Sequence, residues 1–83
     1  MSGEFLFFRT RADGAPLEQP RRMSHREVIA TVSLACPRMP ARQLSHYVAL
    51  AAAAPGHPVD VAHWEGDSLV FSARLERVAE REA

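Results

Sequence analysis

The chain of 83 residues contains no lysine and no asparagine, and Ile29 is its only isoleucine. All ten basic residues are therefore arginine. Lysine, asparagine and isoleucine have AT-rich codons, whereas Ala, Arg, Pro and Val are abundant here. The expected source is a GC-rich bacterial genome, or a virus of such a bacterium. Missing lysine is read as codon bias and not as selection for arginine chemistry.

Cysteine is almost absent too. Cys36 stands alone, so no intrachain disulfide can form and a disulfide-stapled secreted scaffold is excluded. No apolar run approaches the roughly 20 residues that a membrane span requires, so no membrane partner is expected. The apolar patch Phe5–Phe8 is too short for a signal peptide and follows no basic region. Cytoplasm is the expected location. An excess of charge is lacking as well, because ten acids balance ten arginines. The distribution is uneven: residues 1–46 hold seven arginines against four acids, and residues 47–83 hold three against six. Such a balance suits a solvated surface laced with weak ion pairs, or a dipolar surface that steers a partner. It disfavours a free-standing nucleic-acid binder, which usually carries a clear basic excess.

Signatures of chemistry are missing in the same way. The glycines Gly3, Gly14, Gly56 and Gly66 are isolated, so no phosphate-cradling loop is written in the chain. His25, Cys36, His46, His57 and His63 lie 11, 10, 11 and 6 residues apart, without the close ligand pairs of structural zinc sites. Ser24-His25 and Ser45-His46 are neighbours in sequence only, since adjacent helical residues do not face each other. Asp60, Glu65 and Asp67 gather near one turn, where turn chemistry and solvation account for them. Neither a cofactor nor a metal is expected, and the chain is not expected to be an enzyme.

What is present is an architecture. Ser24 with Glu27 three residues on spells a capping box, and Met23 with Val28 is placed as a hydrophobic staple. Val28, Ile29, Val32 and Ala35 or Cys36 then share one helical face, and Pro37 stops the helix. Pro40 suits the start of a second helix, on which Leu44, Tyr47, Val48, Ala51 and Ala52 line up. Pro55-Gly56 ends it. Before the helices, Phe5–Arg11 reads as a strand with both faces apolar near its start, which suits a central position. Asp13-Gly14 is a turn dipeptide, and Pro16 and Pro20 weaken residues 15–22 as a returning strand. After the helices, Val59–Trp64 alternates, Glu65–Ser68 turns, and Leu69, Phe71, Ala73 and Leu75 line one face of a last strand.

The order strand, weak strand, helix, helix, strand, strand predicts an α+β fold, a small antiparallel sheet with both helices on one face. The expected domain covers residues 3–78, with 79–83 as a frayed charged tail. Phe5, Phe7, Val28, Ile29, Val32, Leu44, Val48, Leu69 and Phe71 are the expected core. A chain of this length buries only about 60–65% of its unfolded surface, so self-association would add needed stability.

With no converging catalytic groups, the expected role is a small non-catalytic protein-binding module: an adaptor, a regulator, or an inhibitor encoded by a phage or mobile element. Its partner would be another protein or protein complex. Arg9, Arg11, Arg38, Arg42 and Trp64 are the candidate contact residues, the exposed tryptophan being a suitable anchor. The alternative is a DNA-binding protein built like a winged helix-turn-helix. There Pro40–Ala54 would be the recognition helix, with Arg38, Arg42, Gln43, Ser45 and His46 toward the groove. A third reading is a structural homodimer subunit.

Overall fold

A computed structural model describes residues 4–79. Its elements are β1 (Glu4–Arg9), β2 (Arg21–Ser24), α1 (His25–Ala35), α2 (Ala41–Ala53), β3 (Val59–Glu65) and β4 (Ser68–Arg77). The fold is α+β, and the four strands form one antiparallel sheet in the order β2-β1-β4-β3. Residues 80–83 of the expected tail, and residue 3 of the expected domain, lie outside the described residues.

Local chemistry fixes the helix ends. The Glu27 N–H donates to the Ser24 hydroxyl at 3.1 Å, and the Ser24 N–H donates to the Glu27 carboxylate at 2.8 Å. This is the capping box, with Ser24 extended and the helix beginning one residue later. At the other end the Pro37 ring forces Cys36 out of helical angles. Cys36 and Met39 are both buried in the turn to α2, so the inter-helix connection is part of the core. Pro40 stands immediately before α2 in an extended conformation, where its missing N–H costs nothing.

Prolines also shape the first hairpin. The Arg11 N–H donates to the Ala15 carbonyl, and the Ala15 N–H to the Asp13 carboxylate. Gly14 supplies the positive φ of 90° that this turn needs. Beyond an isolated bridge at Thr10–Pro16, pairing lapses until Arg21. Pro16 and Pro20 bracket that gap, because neither donates to a ladder.

The core lies between one sheet face and the two helices. Phe5 and Phe7 from β1, Phe71, Ala73 and Leu75 from β4, and Val61 from β3 meet Val28 and Val32 of α1 and Leu44, Val48 and Ala51 of α2. Each helix rests chiefly on the sheet rather than on its neighbour, α1 over β1 and β2, α2 over β3 and β4. Two expectations for the core need correction. Ile29 is only half-buried at the edge of the core. Leu69 is half-buried and does not follow Phe71 inward. The register shifts at His63/Trp64, pairing Phe71 with His63 but Leu69 with Trp64. Val70 is therefore the extra residue of a bulge, and Leu69 faces away from the helices. β4 runs on to Arg77, inside the expected domain. β4 has a partner on each side, and the Val78 N–H still donates to the Glu4 carbonyl at 2.8 Å.

A candidate protein-contact face

Two helices cover one side of the sheet, and among the described residues no second layer covers the other. Alternation along β1 sends Leu6 and Phe8 to this outer face, where both are half-buried. Register places Leu6 beside Arg22 and Glu76, Phe8 beside Arg74, Arg74 beside Asp60, and Ser72 beside Ala62. At one end the tip of the β1–β2 hairpin lies along the face, with Gly14 close to the Arg74 guanidinium. Between that tip and the β3–β4 hairpin is a cleft of about 290 Å³ lined by Arg11, Asp13, Asp60, Trp64, Leu69 and Arg74 among others. Trp64 is 57% exposed and Val70 46% exposed, and both stand at this end of the face; Leu17, Leu34 and Leu50 are exposed elsewhere on the chain.

The polar groups of the cleft are held by one another. The Thr10 hydroxyl donates to the Ser72 hydroxyl at 3.1 Å, and Ser72 donates to the Thr10 carbonyl at 2.8 Å. Arg74 Nε lies 3.0 Å from Asp60 Oδ1. Asp13 is engaged by the hairpin turn. Groups so occupied are poor candidates for moving a proton, and well suited to line a surface with fixed dipoles. Among the described residues, no three His, Cys, Asp or Glu side chains converge as metal ligands. None of the helices described there is long and apolar enough to cross a membrane.

Both sheet edges are blunted, which singles out the face as the open surface. β2 is only four residues long and follows directly on Pro20. At the β3 edge, the Gln43 amide and the Tyr47 hydroxyl both donate to the Ala62 carbonyl at 2.9 Å. α2 thus reaches over the edge and occupies the group through which another strand would pair.

The five candidate contact residues divide among four places. Arg11 and Trp64 meet in the outer cleft. Arg9 lies toward the helix side, its guanidinium 5.2 Å from the centroid of the Phe71 ring. Arg38, in the inter-helix turn, pairs with Glu65 at 2.8 Å, and His63 Nε2 is 3.6 Å from the same carboxylate. Arg42 is exposed on the first turn of α2, beside Ser45 and His46. Gln43, a neighbour on that helix, is committed to the Ala62 carbonyl and points to the sheet edge. Leu6, Phe8, Leu69, Val70, Asp60 and Arg74 join the candidate surface only in three dimensions. The signal in the sequence was Phe5–Phe8, apolar on both faces, beside a helix count sufficient for one face.

No family model, curated protein or solved structure matches this chain. Its own geometry therefore carries the functional reading.

Proposed function

We propose that the chain is a small non-catalytic protein-binding module whose contact surface is the outer face of its sheet. The observation that supports this reading is the exposed Trp64, in a cleft it lines with Leu69 and Arg11, on a face over which the described residues place no second layer. Tryptophan and arginine are the residues most enriched at the energetic centres of interfaces. An adaptor, regulator or inhibitor acting in the cytoplasm fits such a surface, because each works by occupancy.

The winged helix-turn-helix reading has less support. Gln43, which would face the groove, is turned to the β3 edge. α2 packs along the sheet, with the Arg42, Ser45 and His46 side left for solvent. Neutral net charge adds nothing to phosphate binding.

The test is capture by the tagged chain from a cell lysate, with untagged copies of the chain supplied. Wild type and Trp64→Ala are compared, with nuclease and across a salt series. The reading expects a protein retained by wild type, through nuclease and moderate salt, and lost by Trp64→Ala. Capture that disappears with nuclease, or that ignores Trp64, would refute it.

A further inference from the structure

Resting on the outer face as the contact surface, we infer that its occupant is a second copy of this chain, docked face to face about a two-fold axis. Three observations point there. The first is charge. A two-fold interface presents the same patch from both sides, so that patch has to complement itself. The outer face carries opposite charges in adjacent pairs: Arg22 with Glu4, Arg74 with Asp60, and Arg11 two residues from Asp13 at the hairpin tip. A patch of one sign would select a partner of the other sign and repel its own copy; this patch does neither. Zero net charge also removes the long-range repulsion between copies.

The second observation is area. Four strands of 6, 4, 7 and 10 residues, at about 3.3 Å per residue and about 4.8 Å apart, give a face of about 430 Å² in projection. Two such faces reach about 860 Å², the size of a weak, reversible contact and not of an obligate dimer. The third is the closure of the alternative route. The β3 edge is occupied by Gln43 and Tyr47, and β2 is short. Copies therefore meet through side chains on the face rather than by extending the sheet.

Trp64 is the only tryptophan in the chain, so its fluorescence reports this face alone. The experiment is sedimentation velocity on the full chain over about a hundredfold range of concentration, with Trp64 emission recorded on the same samples. The expected result is a mass rising from 9.2 kDa to twice that, and a blue shift of Trp64 emission with the same midpoint. Trp64→Ala, and independently Val70→Asp at the exposed bulge, should raise the dissociation constant by about tenfold or more, with unchanged circular dichroism.

A chain that remains a 9.2 kDa monomer throughout overturns the inference. So does a dimer that keeps Trp64 emission water-like and survives both substitutions, because it uses another surface. The two readings fail separately. A monomer that captures a different protein through Trp64 refutes the second copy and leaves the contact face standing. A monomer that captures nothing refutes both.

Discussion

The Ala62 carbonyl gives a sharp energetic test of how the β3 edge is held. It accepts from the Gln43 amide and the Tyr47 hydroxyl, each at 2.9 Å. Tyr47→Phe removes one donor and keeps the ring; Gln43→Met removes the other at similar volume. In either single variant the carbonyl retains a partner, so each loss should cost about 0.5–1 kcal/mol, the net worth of one hydrogen bond. In the double variant the carbonyl has neither donor and lies under the apolar side of α2. That orphaned acceptor adds about 1 kcal/mol beyond the sum of the singles. For a chain of 83 residues, 1 kcal/mol moves the melting temperature by about 6 °C. The singles should therefore melt about 3–6 °C lower and the double about 15 °C lower. Urea denaturation of the four proteins closes the cycle. A double variant additive to within about 0.3 kcal/mol would refute the reasoning, because water would then be replacing either side chain without loss. The double variant should also scatter light on standing, since an unguarded edge is a template for strand pairing.

Other perturbations separate the elements. Ser24→Ala should cost about 1 kcal/mol in denaturant unfolding, and Ser24→Asp much less, because Asp also accepts at a helix N-cap. Leu75→Ala, fully buried on the central strand, should cost about 3 kcal/mol or more. Val70→Thr, on the exposed bulge, should change stability by less than about 0.5 kcal/mol. Gly66 turns β3 into β4 at a φ of 63°. Gly66→Ala should lose about 1 kcal/mol and Gly66→Asn less, since Asn tolerates the left-handed region.

Much of the fold was legible because its determinants are local. Ser24 and Glu27 mark a helix start within four residues, and Pro37, Pro40 and Pro55 mark stops and starts by ring geometry alone. Pro16 and Pro20 foretold the weakness of β2 for the same reason. Features set by distant partners were not legible. The alternation of residues 69–75 continues unbroken in sequence, yet the bulge opposite His63 and Trp64 turns Leu69 to the other face. Glu76 and Arg77 look like the start of a charged tail until β1 pairs with both and the Gly56 N–H donates to the Arg77 carbonyl. Gln43 reads as a polar surface residue of a helix; only the position of the β3 edge gives its amide a use. Arg11 and Trp64 were singled out for their residue types, and folding brings those two into one cleft. Arg9, Arg38 and Arg42, chosen on the same grounds, are dispersed, because side-chain type carries no information about which face a residue will share.

The pairing of β1 with β4 also bears on how the molecule is made. β1 is the first strand to be synthesised and β4 the last. During translation β1 can find β2 early, but its other edge stays open until β4 appears. The capped helix α1 has time to form by itself, whereas the closing of the sheet waits on a contact that spans most of the chain. Phe5 and Phe7, buried in the finished fold, lack their β4 partners for that interval, so apolar surface stays open until the last strand arrives. A chain truncated inside β4 would lose the middle of its sheet, not its margin.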